Sequence, residues 1–425
     1  LQGPLFDDAS LDLVGLRSDK LMRVKAEMSR RGLDALWLLG PGHLRYVVGS
    51  AVLPADGARA THERASLVVA QGSEHPHFFT PYPEAAPPEL PAEFVHAPLH
   101  VETAANVDAS LATIREAHGA GEGATLAIDE YSAALYLRLQ SQGDDLHDAA
   151  PVIAAAKLCK LPAEIECIRR AQAINESAMG DVQAALRSGL RLTDLSALFF
   201  ARIFELGASA NGIDPIWQVM SPRIADGPWT THAGVAFPTC TTDRILRRGD
   251  LLWVDTGVEY HGYQSDFGRT FLVDAEPSAR HLDQGRRWLD VVEAVLAKVR
   301  PGVRGGDLTR RALEVAGGGK PWLDHFYLIH GVGTEAAEQP LIGTDLGDDF
   351  DESIVLAPGM VLVLEPAIWD DGHAGYRSEE IVAVTENGYT KLSDYPYTPF
   401  EASMGGPFEA SMGRPSTVSL RGLGA

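Results

Sequence analysis

The stretch Gly249-Asp-Leu-Leu-Trp-Val-Asp255-Thr-Gly-Val-Glu-Tyr-His-Gly-Tyr-Gln-Ser-Asp266-Phe-Gly-Arg-Thr270-Phe-Leu-Val273 decides how this chain is read. An apolar run ends on one aspartate, a Gly-containing turn follows, and a second aspartate precedes another apolar run, the pattern of strands joined as a hairpin. Glu365 repeats the theme inside Met360-Val-Leu-Val-Leu-Glu365-Pro366, and Glu379 opens Glu379-Glu-Ile-Val-Ala-Val384. A carboxylate within or against a buried strand is costly unless it is paired or bound to a cation. Four such groups repel one another, and Arg377 stands nearby in sequence as a counter-charge. With His330 they make five candidate ligands, Asp255, Asp266, His330, Glu365 and Glu379, for which a divalent metal is the simplest physical answer. Each has an ordinary reading by itself: Asp266 as a salt-bridged turn residue, His330 as a loop histidine, Glu365 at the end of an edge strand, Glu379 as the partner of Arg377. Their joint order, each against apolar strand sequence, favours the metal site.

The rest of the chain sets limits on function. Its 425 residues suffice for two or three domains, and 45% apolar with 22% charged residues is the composition of a globular protein. A net charge of −22 speaks against nucleic-acid and anionic-membrane partners, which need clustered Lys and Arg. No apolar run approaches the roughly 18 residues of a transmembrane helix. The opening Leu1-Gln-Gly-Pro-Leu-Phe-Asp-Asp8 lacks the basic and apolar regions of a signal peptide. Cys159, Cys167 and Cys240 lack metal-type spacing, and so small an odd number fits a reducing cytoplasm, the expected location; the first two fall in a helical pattern as packing residues.

Along the chain, Leu16 to Arg31 has a helical period, Ala35-Leu-Trp-Leu-Leu39 and Ser66-Leu-Val-Val-Ala70 read as buried strands, and Gly40-Pro-Gly42 punctuates between them. The first 150 or so residues thus form an α/β domain with no catalytic motif. After Pro151 the composition shifts, and helices are expected from Ala163 to about Arg187, Asp194 to Leu206, Arg286 to Val299 and Leu308 to Val315. The tail repeats Phe-Glu-Ala-Ser-Met-Gly at Phe400 and Phe408 and reads as a flexible extension.

These residues resemble the creatinase/aminopeptidase P/prolidase group of M24 metallopeptidases. The likeness begins with Arg31-Gly-Leu-Asp-Ala-Leu36 and Leu44-Arg-Tyr-Val-Val-Gly49, and Lys157 to Met179 is similar to the start of the catalytic domain. It continues through Gly249–Gly257, Gly262–Thr270, His330-Gly-Val-Gly333, Leu364-Glu365-Pro366 and Tyr376-Arg377-Ser-Glu379-Glu380. The resemblance implies an α/β class fold: a creatinase-type amino-terminal α/β domain over residues 1–155, a pita-bread α+β catalytic domain over 156–399, and a tail over 400–425. It implies a dinuclear site with Asp255 on one ion, Asp266 and Glu379 bridging, and His330 and Glu365 completing the other. Carboxylates with one imidazole favour harder ions, so two Mn²⁺ are expected, with Fe²⁺, Co²⁺ or Zn²⁺ as alternatives. It further implies a homodimer, a small-molecule or short-peptide substrate, and roles near the metal for Glu335 and Arg377, the latter holding Glu380 or a substrate carboxylate.

The pattern departs from that group at three histidines that bind substrate and shuttle protons: their registers carry Pro238, Phe326 and Ala337. His232 and His325 are the expected substitutes, and His373 lies between two ligand positions. The sequence therefore supports a metal-dependent hydrolase, Xaa-Pro peptidase-like. Alternatives are a hydrolase or lyase acting on an unusual amino-acid derivative in the same cradle and, more weakly, an inactive binding module.

Overall fold

The computed structural model describes residues 3–49, 65–101, 103–118, 125–130, 133–142, 147–221 and 244–397. Helix α1 (Leu13–Arg31) starts where Asp12 Oδ1 accepts from Gly15 N at 2.8 Å and stops at Gly32, whose φ of 67° suits glycine. Strands β1 (Ala35–Leu38), β2 (Ser66–Ala70), β3 (His77–Phe79), β4 (Val95–His96), β5 (Leu126–Ile128) and β6 (His147–Asp148) form one mixed sheet, ordered β4-β3-β2-β1-β5-β6. Side chains alternate across it. Leu36, Leu38, Leu67 and Val69 join a core with α1, α2 (Pro41–Val48) and α5 (Ala150–Leu158). Trp37 and Val68 face the opposite core, with α3 (Ala104–His118) and α4 (Ala133–Gln142). Burial on both faces explains the unbroken apolar runs of β1 and β2.

Helix α6 (Pro162–Ala185) begins with Pro162 at its first position, where no amide is needed, while the Glu164 carboxylate accepts from Leu161 N at 2.8 Å. After α7 (Leu192–Glu205) come β7 (Ala210–Val219), β8 (Leu251–Tyr260), β9 (Tyr263–Gln264) and β10 (Phe267–Leu272), ordered β10-β8-β7 with β9 on β8. Helices α8 (Ala279–Leu296) and α9 (Gly305–Val315) precede a further sheet. It contains β11 (Ile329–Gly331), β12 (Glu338–Ile342) and β13 (Val361–Leu364), with the short α10 (Asp348–Ser353) between the last two. Beyond the hairpin of β14 (Ala367–Trp369) and β15 (Gly375–Arg377) follow β16 (Glu380–Val384) and β17 (Tyr389–Lys391), giving the order β12-β11-β13-β16-β17.

The two sheets of this second half share their cores. Val254 and Val258 of β8 and Val363 and Ile381 of the later sheet pack with Cys167, Ile174 and Phe199 of α6 and α7. Trp253, Leu362 and Val382 face the other way, on to Trp288, Val295 and Leu308 of α8 and α9. The expected turn after Asp255 is not there. β8 runs on through Thr256 to Tyr260, and the chain reverses at His261 and Gly262, with φ of 49° and 84°. Thr256 is held by the buried amide of Asn175 and prolongs the strand: Asn175 Nδ2 of α6 donates to its carbonyl at 2.8 Å, and its hydroxyl donates back to Asn175 Oδ1 at 2.8 Å. Cys167 is buried and Cys159 partly so, both free, whereas Cys240 and the tail from Phe400 lie outside the described residues.

Candidate metal centre

The five candidate ligands arrive from both sheets of the second half. Asp255 lies inside β8, opposite Gly268 of β10, and Asp266 immediately precedes β10. His330 is the middle residue of β11, opposite Val363 of β13, Glu365 follows the end of β13, and Glu379 precedes β16. A backbone bond joins the sheets where the carboxylates meet, Glu379 N donating to Gly268 O at 3.0 Å, while Glu365 N donates to Leu328 O at 3.1 Å and extends the β11–β13 ladder. Arg269 Nη1 donates to Glu379 O at 2.7 Å, and the Thr270 hydroxyl to Arg377 O at 2.5 Å.

Asp255, Asp266 and Glu379 each offer an oxygen within 4.8 Å of the others. His330 Nε2 stands 3.1 Å from Asp266 Oδ2 and 3.4 Å from Glu365 Oε1. His330 Nδ1 is 2.9 Å from Gly331 O, which can only accept, so Nδ1 carries the proton and the Nε2 lone pair faces the carboxylates. Arg377 pairs with Glu365, lies 3.1 Å from Glu379 Oε1 and 3.7 Å from Asp255 Oδ2, and stacks its guanidinium 4.2 Å above the Trp253 ring.

One guanidinium does not balance four carboxylates. Burial first, then Glu379, raises Asp255 well above the carboxylate range, and burial first, then Asp266, pushes Glu379 up to about 8. Asp255 Oδ1, Glu365 Oε1 and Glu379 Oε2 are enclosed without a hydrogen-bond partner among the described residues. Orphaned buried carboxylate oxygens beside an imidazole lone pair are the donor set of a hard divalent cation, so these residues fit such an ion.

The other expected site residues fare differently. Glu335 pairs with Lys157 of α5 and lies under Gly42 of α2, where an added Cβ would stand 2.6 Å from Glu335 Oε1. None of the five candidate ligands is among its partners. The buried Lys157 ammonium, which also lies 2.7 Å from Glu338, draws it to α5. His325 turns outward: its φ is 59°, its side chain is 87% exposed, and Nδ1 meets Asp345 at 2.6 Å. His373 is exposed at the turn of the β14–β15 hairpin. Arg377 does join the cluster, but Glu380 is held elsewhere, by Lys391 at 2.6 Å and by Ser393 and Tyr397. His232 and Pro238 lie outside the described residues.

Sequence reasoning missed two features. Tyr327 lays its ring 4.8 Å from that of His330. Lys160 pairs with Glu338 at 2.6 Å, beside Lys157. Tyr327 stands amid Phe326-Tyr-Leu-Ile-His330, where nothing in the pattern separates it from packing residues.

Known proteins resemble this chain in sequence and fold. The sequence pattern of metallopeptidase family M24 matches residues 166–386, which hold all five candidate ligands, and that of the creatinase/prolidase amino-terminal domain matches residues 20–159. This chain belongs to metallopeptidase family M24.

Among M24 relatives, an Xaa-Pro dipeptidase of Pyrococcus furiosus is 30% identical over 57% of this chain and 65% of its own length. A probable dipeptidase of Mycobacterium tuberculosis is 29% identical, aligned over 59% of this chain and 62% of the relative. The chain thus spans somewhat under two thirds of these relatives. An Xaa-Pro dipeptidase of Pyrococcus horikoshii is 24% identical over 89% of this chain and 97% of its own length. In three dimensions, an X-Pro aminopeptidase of Thermotoga maritima superposes with a TM-score of 0.71 at 22% identity, over 89% of this chain and 99% of the other. The fold is therefore the M24 one: a creatinase-type α/β domain followed by a pita-bread α+β domain. No helix among the described residues is long and apolar enough to cross a membrane.

Proposed function

We propose that this chain is a divalent-metal-dependent hydrolase of short peptides, with Xaa-Pro dipeptides as the first substrate class. In this reading Asp255, Asp266, His330, Glu365 and Glu379 hold two ions, Mn²⁺ before Fe²⁺, Co²⁺ or Zn²⁺. The observation that carries it is the meeting of Asp255, Asp266 and Glu379 from two sheets within 4.8 Å, with orphaned oxygens. Such ions, when bound, supply a Lewis acid for the substrate carbonyl and lower the pKa of a water to near neutrality. The chain's own residues do the positioning. The Gly331 carbonyl fixes the His330 tautomer, and Gly268 and Arg269 seat Glu379. Arg377, held between Glu365 and Glu379 over Trp253, offsets part of the negative charge.

A second reading is favoured by one observation. The register expected to carry a proton-relay histidine holds Phe326, and its neighbour His325 faces solvent. That suits a hydrolase or lyase of an unusual amino-acid derivative, whose leaving group needs no such relay.

The test is turnover of a panel of Xaa-Pro and non-proline di- and tripeptides by Mn²⁺-loaded protein, with metal content measured alongside and Asp266→Ala as control. The reading expects turnover of about 1 to 10³ per second on Xaa-Pro bonds and loss of at least one ion in the variant. Verified metal without turnover would move the assignment to the second reading. Unchanged metal content and full activity in Asp266→Ala would refute the site.

A further inference from the structure

Of the polar side chains gathered around the five carboxylate and imidazole ligands, Tyr327 has no visible employment. Its hydroxyl makes no hydrogen bond among the described residues, and it is not among the fully enclosed polar atoms that lack a partner. The oxygen therefore opens on to accessible space instead of being sealed in protein. The ring itself is firmly held. Phe326 stacks on it at 4.0 Å and 27°, and the His330 imidazole lies against it at 4.8 Å and 52°. A phenol O–H can donate a hydrogen bond.

Arg377 is drawn to three carboxylates, and the His330 Nδ1 proton is spent on Gly331. A rigid, half-buried and unpartnered hydroxyl beside the reacting centre is what stabilisation of a developing oxyanion requires, because its dipole needs no reorganisation.

We propose that the Tyr327 hydroxyl donates a hydrogen bond to the carbonyl oxygen of the scissile bond and holds it as that oxygen gains charge. The inference rests on the hydrolase reading above. In the step it serves, a water oxygen bonds to the carbonyl carbon and the C=O π pair moves on to the oxygen facing Tyr327. That pair then re-forms the C=O as the C–N bond breaks. The bonding pair leaves with the nitrogen, which takes up the proton lost by the water. Tyr327 keeps its own proton throughout, so it is a catalytic residue by contact and not a proton relay.

The experiment compares wild type, Y327F and Y327L as full chains loaded with Mn²⁺. Phenylalanine keeps the ring on His330 and removes only the hydroxyl; leucine removes both. The expected result for Y327F is unchanged melting temperature and Mn²⁺ affinity by calorimetry, a kcat on Xaa-Pro dipeptides lower by about 10² to 10³ with KM little changed, and weaker binding of a phosphinic dipeptide analogue by a similar factor. Wild-type kcat and equal phosphinate affinity in Y327F would overturn the proposal. So would a loss of Mn²⁺ binding in Y327F as large as that in Y327L, which would make the residue a packing support for His330. A wild type that cleaves no dipeptide yet binds the phosphinate more tightly than Y327F would sink the peptidase reading and leave the role of Tyr327 standing. Phosphinate bound equally, or by neither protein, would sink the role itself.

Discussion

Gly268 carries a constraint that its backbone angles do not reveal. A Cβ there would stand 2.5 Å from Glu379 Oε1 and 2.8 Å from its Cγ, so the carboxylate packs directly over a bare Cα. Gly268→Ala should push Glu379 from its place, costing about 1 to 3 kcal/mol of stability by overpacking and weakening Mn²⁺ binding. Thermal melts and a metal titration of the variant would show both, and unchanged affinity would mean that Glu379 can shift without cost. The Gly268 signal was in the sequence only as one letter of Asp266-Phe-Gly-Arg-Thr270; the reason for it lies more than a hundred residues away. Glu335 shows the reverse case. Its place in the sequence pointed to the metal, but a buried ammonium proved the stronger attraction.

At the scale of the element, the segment after β17 is strapped across the strands that carry the candidate ligands. Arg269 donates to Tyr395 O at 2.9 Å and Pro396 O at 3.2 Å, and Glu176 of α6 accepts from Asp394 N at 3.1 Å through both oxygens. Arg269→Ala would leave these carbonyls and that of Glu379 unpaired in the interior. A loss of about 3 kcal/mol or more is expected in denaturant unfolding. Glu176 gives the strap a pH dependence. Burial raises its carboxyl to about 7, against the pull of Gln172 and Arg269. The folded state therefore holds a proton that the unfolded chain, titrating near 4.5, has already released. Between those two values the native state binds more protons, so this group's contribution to stability falls as pH rises and levels off above pH 7. Glu176→Gln should flatten the melting temperature between pH 5 and 7 and raise it at pH 8 relative to wild type. A variant with the wild-type pH profile would show that Glu176 ionises freely in the fold.

Elements were legible in the sequence to the extent that one periodicity governed them. The helices α1, α6, α7 and α9 and the strands β1 and β2 lie close to where apolar spacing and Pro or Gly punctuation put them. For β8 the local pattern predicts an end at Asp255, because an aspartate and a glycine read as a turn, whereas the strand runs to Tyr260. Asn175, eighty-one residues earlier, supplies the hydrogen bonds that carry the strand onward.

Over the whole molecule, the segment that leads from the first half into the second is pinned by Lys157 and Lys160 on Glu338. Burial pushes the Glu338 carboxyl up, and the two ammonium groups outweigh it and hold it below its ordinary value. Breaking a buried pair by removing one partner costs about 3 to 5 kcal/mol, so Lys160→Met should lower the melting temperature markedly. A small change would show that Lys157 alone satisfies Glu338. The homodimer expected from the family resemblance is checked by light scattering on the full chain, where a monomer mass would discard it.

The sequence by itself determined the family, the order of the two kinds of domain and the identity of the five candidate ligands, because each of these is written in local patterns of apolar residues, glycines and acids. Only the tertiary structure decided what the remaining polar groups do. It turned His325 to solvent, gave Glu335 to Lys157, set Arg377 between Glu365 and Glu379, and left the Tyr327 hydroxyl unpaired beside His330. Ion pairs and hydrogen bonds between residues far apart in the chain depend on how sheets and helices pack, and no local pattern carries that information.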